Sequence, residues 1–151
     1  MKNFEANENI IAEIAFLAHE KFRKLYQEKN SGTRIKITTD DKWIKKHETN
    51  KADLAKLAYS DLPKDWQKSR WLGAKAAFDA LLETKRANNP LDENFIEYAS
   101  DIVHEEWLKH NRDIAEDEHN LSYENLSEDA KEKDRIFVRA AIEKYSSLKK
   151  S

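Results

Sequence analysis

The amino-acid sequence predicts an all-α fold made of two helix hairpins related by pseudo-symmetry, with one short extended insertion near residues 33–38. The chain has only two Gly and two Pro in 151 residues, too few for the many turns of an all-β protein. Apolar residues recur at helical spacing along most of its length. A repeated stretch adds the two-unit organisation, because "LAYSDLPKD" at 57–65 matches "LSYENLSED" at 121–129 in Leu, Tyr, Leu and Asp.

Length and composition predict a single domain over residues 1–151, long enough to bury a core. The net charge of −2 gives no basic surplus, so we expect no nucleic-acid partner. No segment approaches the roughly 20 apolar residues of a membrane span, and no signal-peptide pattern is present. We therefore expect a cytoplasmic protein without a membrane partner. The lack of cysteine excludes disulfides and thiol chemistry.

The first segments of the chain predict one long helix followed by an extended piece. The helix is expected from about Asn7 to Lys29, with Asn7 or Asn9 near its cap. "NSGT" at 30–33 is the clearest break in the sequence. "TRIKITTD" at 33–40 alternates apolar and polar residues and contains β-branched side chains, which predicts a short strand.

Two short helices and one long helix are predicted next. "DKWIKKH" at 41–47 is typical of a short helix. "TNKADLAKL" at 49–57 predicts another, because Asn50 and Asp53 have a capping-box-like spacing. Pro63 then fits the first turn of a long helix.

The second half predicts two more long helices. "RANNPLD" at 86–92 forms the hinge, and Asp92 caps the first of these helices. The polar stretch 111–120 predicts a loop, and Ser127 opens the last helix. The expected buried face of the last helix contains Ile136, Phe137, Ala140, Ala141 and Tyr145.

Two internal matches predict quasi-repeats at about residues 7–86 and 92–149. In the first match, residues 43–78 align without a gap with residues 107–142. In the second, "AHEKF" at 18–22 aligns with "VHEEW" at 103–107. The second match is favoured because it places a His-Glu pair in a long helix before each Tyr-x-x-Leu turn. One hairpin cannot bury its apolar face alone, whereas two hairpins can bury their faces against each other.

The second half carries a specific order of motifs. "VHEEWLKHN" at 103–111 is followed by "LSYENLSEDAKEKDRIFVRAAI" at 121–142. This order resembles the ryanodine-receptor (RyR) repeat domain, as found in bacterial and phage proteins. The matching residues are His104, Glu105, Trp107, Tyr123, Leu126, Lys131, Lys133, Asp134 and Arg135.

The first half resembles the same family through "AHEKF" at 18–22 and "LPKDWQKSRWLGAKAAF" at 62–78. The sequence departs from the family pattern in its connection, which lacks the Gly-Trp-x-Tyr-Gly stretch and keeps only His119 near the place of a His-Pro pair. Ser127 also replaces the usual Pro, which Pro63 retains in the first half.

The resemblance implies a non-enzymatic binding or sensing module, with a nucleotide-like small molecule or a protein as its partner. No cofactor is implied, and a monomer or a homodimer is expected. The expected site is a concave seam between the two units. Its candidate ligand-binding residues are His104, Glu105, Trp107, Tyr123 and Arg135, with His19 and Tyr59 opposite them.

Two alternatives compete with this binding module. A protein–protein adaptor, such as a phage inhibitor of a host defence system, would need no small-molecule pocket. A small hydrolase would need the His-Glu pairs in a solvated cleft. Zinc-protease chemistry is disfavoured because His104 and His110 are six residues apart, whereas that motif needs four. The simplest interpretation of His104 is a packing residue bonded to the turn of its own repeat.

Overall fold

Four long helices and one small hairpin make up the computed structural model, which describes residues 4–29, 32–111 and 120–149, with side chains from residue 7 onward. The long helices are α1 (Phe4–Lys29), α3 (Lys64–Arg86), α4 (Glu93–Asn111) and α5 (Glu128–Lys149). The short elements are β1 (Ile35–Ile37), α2 (Asp41–His47), β2 (Lys51–Asp53) and two 3-10 turns, Tyr59–Asp61 and Tyr123–Asn125. The prediction of an all-α fold is confirmed. The described helices include none long and apolar enough to cross a membrane.

Helices α3 and α5 form the centre of the bundle, because they contact each other and both contact α1 and α4. Their close approach depends on Gly73, where an added Cβ would lie 2.7 Å from ring atoms of Phe137. Of the five residues predicted to be buried on α5, four are buried and Tyr145 is half-buried. The buried side chains of the two halves therefore form one shared core.

The start of α1 differs from the prediction. The helix begins at Phe4, so Asn7 and Asn9 lie inside it and neither caps it. Residues 4–6 include no helix breaker, and the helix extends through them. Its buried face follows the expected spacing, with Ile11, Ile14, Ala15, Ala18, Phe22 and Tyr26 in the core.

The predicted helix at 49–57 is wrong, because part of this segment is strand β2. β2 pairs with β1 in antiparallel register, with Ile35 opposite Asp53. The Asp53 carboxylate accepts hydrogen bonds from the Arg34 amide (2.9 Å), the Thr33 hydroxyl (2.8 Å) and the Ala55 amide (3.0 Å). It therefore closes the hairpin and does not cap a helix. The strand predicted near 33–38 is confirmed as β1.

Asp40 connects the hairpin region to the bundle by capping two helices. One carboxylate oxygen accepts the Trp43 amide at the start of α2, and the other accepts the Lys64 amide at the start of α3 at 2.8 Å. The hydrogen bond from Lys64 is the main reason that the pKa of Asp40 is lowered. Because one side chain holds both helix starts, α2 has a fixed position relative to α3.

The caps predicted in the second half are confirmed. Asp92 accepts the Phe95 amide (3.1 Å), and the Ser127 hydroxyl accepts the Ala130 amide (3.1 Å). Pro63 directly precedes α3, and its carbonyl accepts two amides of the first turn. The loop predicted at 111–120 falls mostly on 112–119, outside the described residues.

Candidate functional site

A buried histidine holds the connection in each half of the molecule. His19 on α1 donates from Nε2 to the Leu57 carbonyl at 2.8 Å. His104 on α4 donates from Nε2 to the Leu121 carbonyl at 2.6 Å. Leu57 and Leu121 are equivalent positions in the repeated stretch, and each precedes one of the two 3-10 turns. His104 thus has the packing role expected of it, and His19 has the same kind of bond in the first half.

The second ring nitrogen of each histidine has a charged partner, and the two partners differ in sign. Nδ1 of His104 lies 3.3 Å from a carboxylate oxygen of Asp134. Nδ1 of His19 instead accepts a hydrogen bond from Nε of Arg70 at 3.2 Å. Arg70 on α3 and Asp134 on α5 are equivalent positions in the gap-free alignment of 43–78 with 107–142. The two halves therefore share the arrangement of histidine and turn, but the partner of the histidine is positively charged in the first half and a carboxylate in the second.

These partners set the protonation of the two rings. His19 accepts at Nδ1, so its single proton lies on Nε2 and the ring is neutral. Burial, and then the positive charge of Arg70, lower the pKa of His19 to about 4. Burial also opposes a charged His104, but the hydrogen bond and charge of Asp134 outweigh it and raise the pKa of His104. Asp134 therefore favours the protonated form of His104, whereas Arg70 favours the neutral form of His19.

Tyr123 and Arg135 meet at a glutamate that sequence reasoning missed. Glu97 on α4 accepts Nε of Arg135 at 2.8 Å, Nη2 of Arg135 at 3.1 Å and the Tyr123 hydroxyl at 2.7 Å. Arg135 is the main cause of the lowered pKa of Glu97. Burial, together with the bond to Glu97, raises the pKa of Tyr123 to about 12. This network is charge-balanced within the protein, which is the arrangement of a structural anchor.

Replacing Tyr123 with phenylalanine should lower the free energy of unfolding by about 1–2 kcal/mol, because a buried bond to a charged acceptor is lost. Tyr98→Phe is the matched control, since Tyr98 is exposed on α4. Urea unfolding of both variants provides the measurement. Equal stabilities of the two variants would contradict an anchoring role for the Tyr123 hydroxyl.

The remaining second-half candidates lie on different faces of α4. Trp107 is half-buried and stacks on His104, with 5.9 Å between ring centroids. Glu105 is exposed and belongs to a shallow surface groove of about 320 Å³. The groove is lined by Tyr98, Asp101, Ile102, Glu105, Glu106 and Lys109. Glu105 therefore does not join the other candidates.

The first-half candidates, His19 and Tyr59, belong to a separate cluster. Their rings are 6.4 Å apart, and the half-buried Tyr59 donates to the Gln67 carbonyl at 3.4 Å. Arg70 lies between α1 and α3 with its guanidinium over the Phe22 ring at 4.1 Å. The seven candidates thus form one cluster in each half, with Glu105 apart.

Two guanidinium groups converge on Tyr26 in the first half. Nη2 of Arg70 lies 3.5 Å from the Tyr26 hydroxyl, and the guanidinium of Arg34 lies 5.6 Å from the centre of the Tyr26 ring. Nε of Arg34 is buried without a hydrogen bond. Within the described ranges, no carboxylate forms an ion pair with either arginine. We call Tyr26, Arg34, Tyr59 and Arg70 the arginine cluster.

The repeat alignments contain the signal that identifies this cluster. When 43–78 is aligned with 107–142, Arg70 stands where the second half has Asp134. When "AHEKF" is aligned with "VHEEW" and the alignment is extended toward the N-terminus, Ala12 stands where the second half has Glu97. The first half therefore lacks equivalents of Asp134 and Glu97, the two carboxylates that pair with His104 and Arg135 in the second half. The difference in charge is visible only at positions where the two repeats differ, whereas the site was predicted from positions where they match.

The chemistry open to these residues is narrow. Both buried histidines use their two ring nitrogens for structural bonds, so the His-Glu pairs do not form the cleft that a hydrolase needs. Across the described part of the chain, no group of three His, Asp or Glu side chains is arranged to hold a metal ion. Unbalanced positive charge is the main chemical feature that remains.

No protein-family model, curated protein or solved structure matches this chain. The resemblance to the RyR repeat domain therefore stays a prediction.

Proposed function

We propose that the chain is a non-enzymatic binding module of the RyR-like type, in a bacterial or phage setting, and that it binds a phosphate-bearing, nucleotide-like ligand at the arginine cluster. The observation that supports this proposal is the buried guanidinium of Arg70, which is 6% exposed and has no carboxylate partner in the described ranges. A buried charge without a counter-charge is costly, since desolvation is not offset by ion pairing. An anionic ligand would supply that counter-charge.

A phosphate group suits this cluster better than other anions do. Guanidinium groups present a planar fork of N–H donors that matches phosphate oxygens. Arg70 keeps Nη1 unbonded among the described side chains, and Arg34 offers a second guanidinium over the ring of Tyr26. Arg34 and Tyr59 are half-buried, so part of each side chain is open to a ligand.

Tyr59 is the reason for proposing a nucleotide-like ligand. It is half-buried, and the exposed part of its ring can stack on a base whatever its identity, whereas Tyr26 is buried against Phe22 and beneath Arg34. Burial raises the pKa of Tyr59, so its hydroxyl stays protonated. In the unliganded protein this hydroxyl donates to the Gln67 carbonyl at 3.4 Å, and a phosphate would have to replace that bond. His19 is neutral and adds no competing positive charge, and its Nδ1 holds Arg70 in place.

Replacing Arg70 with methionine is expected to weaken ligand binding at least tenfold while changing the stability of the unliganded protein little. Two effects oppose each other in the unliganded protein, because methionine removes the unpaired buried charge but leaves Nδ1 of His19 and the Tyr26 hydroxyl without their donor. Lys68→Met is the matched control, since Lys68 is an exposed cation on the same helix. Calorimetric titration with pyrophosphate, ATP and a cyclic dinucleotide measures the binding. Thermal unfolding without ligand measures the stability.

Three results separate the possibilities. Binding that is lost in Arg70→Met and kept in Lys68→Met supports the site. Binding that both variants retain, or a large loss of stability in Arg70→Met without ligand, would contradict it. If none of the three probes binds the wild-type protein, the proposal is abandoned in favour of the adaptor function, which the half-exposed Ile35 and Ile37 favour independently.

A further inference from the structure

The outer edge of β1 is an unpaired strand edge. The β1 residues that bond to β2 are the even-numbered ones, as the Leu54 amide bond to the Arg34 carbonyl and the Thr38 amide bond to the Asn50 carbonyl show (both 2.9 Å). In an antiparallel pair the alternate residues direct their N–H and C=O groups outward. The backbone N–H and C=O groups of Ile35 and Ile37 therefore point away from β2.

Most of these outward groups have no partner in the described structure. The Ile37 carbonyl accepts the Trp66 indole N–H at 3.1 Å. No hydrogen bond with described residues involves the N–H or C=O of Ile35 or the N–H of Ile37. Such a row of free groups is a template for an added strand.

The side chains on this strand are apolar and exposed. Ile35 is 50% exposed and Ile37 is 55% exposed, and they share one face because side chains alternate along a strand. Proteins usually protect an edge strand with charged residues or proline, or keep it very short. β1 is short and contains Lys36, whose side chain lies on the opposite face, so the face of Ile35 and Ile37 stays apolar.

The hairpin is an addition to the repeat. His19 and Leu57 are separated by 38 positions, whereas His104 and Leu121 are separated by 17. The second half closes the equivalent histidine-to-turn bond with this shorter connection. The extra segment is therefore not needed for this closure, and its exposed edge needs another explanation.

The net charge of the segment that contains this edge indicates what kind of strand could bind there. Residues 33–56 contain seven basic and four acidic residues, a net charge of +3, while the whole chain carries −2, which leaves −5 for the rest. The exposed basic residues of the segment are Lys42, Lys45, Lys46, Lys51 and Lys56. A second copy would bring the same positive charge to the edge, which disfavours pairing of two hairpins. An acidic strand would be attracted.

We infer that β1 is a docking edge for an extended segment of a partner protein that alternates apolar and acidic residues and adds a third strand to the hairpin. Main-chain hydrogen bonds to Ile35 and Ile37 would supply the pairing, and contact with the two isoleucines would supply the apolar part of the affinity. The inference is independent of ligand binding at the arginine cluster.

The test uses two ten-residue peptides, one alternating valine with glutamate and one alternating valine with lysine. We expect the glutamate peptide to bind at least tenfold more tightly, with slower amide hydrogen exchange at Ile35 and Ile37. Ile35→Pro removes an outward N–H without removing a bond to β2, so it should abolish this binding. Ile35→Val keeps both the N–H and an apolar β-branched side chain and is the matched control.

Thermal unfolding of both variants checks that the bundle remains folded. Equal binding of the two peptides, no binding of either at millimolar concentration, or binding that survives Ile35→Pro in a folded protein would overturn the inference. Concentration-dependent dimerisation that Ile35→Pro abolishes would also overturn it, because the occupant would then be a second copy of this chain.

Discussion

Gly73→Val is expected to lower the free energy of unfolding by about 2–3 kcal/mol, because overpacking a close-packed core forces neighbouring side chains out of their preferred rotamers. A Cβ at this position would lie 2.7 Å from two atoms of the buried Phe137 ring, and valine adds two further methyl groups to that contact. Gly73→Ala should lower the free energy of unfolding by less, because the clash of its Cβ is partly offset by the helix propensity of alanine, which is about 1 kcal/mol better than that of glycine. Urea unfolding measures both variants.

A double-mutant cycle identifies the cause of this loss. Phe137→Leu alone should destabilise the protein by leaving a space in the core. In the Gly73→Val background the shorter side chain makes room, so the two effects should combine to less than their sum. Additive effects would show that valine acts elsewhere, for instance on helix geometry alone.

The helices were predictable because their signals are local. Apolar spacing identified the buried faces, and Asp92 and Ser127 marked helix starts through short-range hydrogen bonds. The segment 49–57 failed for the opposite reason. The three donors to the Asp53 carboxylate include Arg34 and Thr33, which are distant in sequence, and a capping-box pattern contains no information about them.

The site was only partly predictable for a related reason. His19 and His104 were identified by their match, and His104 has the expected packing role. Their different chemistry arises from Arg70 and Asp134, which sit on other helices and become neighbours only through folding. Charge balance around a buried group is a property of the packed structure, so a motif does not reveal it.

The opposite partners of the two histidines predict opposite pH dependences of stability. The folded pKa of His19 is about 4, below its ordinary value of 6.5, so the unfolded state binds a proton more readily. This contribution to stability is complete above pH 6.5 and is lost as the pH falls toward 4. A fall of that size in pKa corresponds to a loss on the order of 3 kcal/mol.

His104 should act on the alkaline side. Its folded pKa is raised, so the folded state holds the proton more tightly. This contribution is complete below pH 6.5 and is lost as the pH rises through the folded pKa. The carboxylates with lowered pKa, such as Asp40 and Glu97, lose their contributions only below their unfolded values near 4, so they do not overlap this window.

His19→Gln and His104→Gln separate the two effects. Subtracting the unfolding free energy of each variant from that of the wild-type protein, measured in urea from pH 4 to 9, isolates each histidine. The His19 difference should shrink as the pH falls below 6.5, and the His104 difference should shrink as the pH rises above 6.5. If the two differences changed with pH in the same direction, Arg70 and Asp134 would not control the rings. Changes in opposite directions would show that one buried geometry, repeated within the chain, favours the neutral histidine in one half and the protonated histidine in the other.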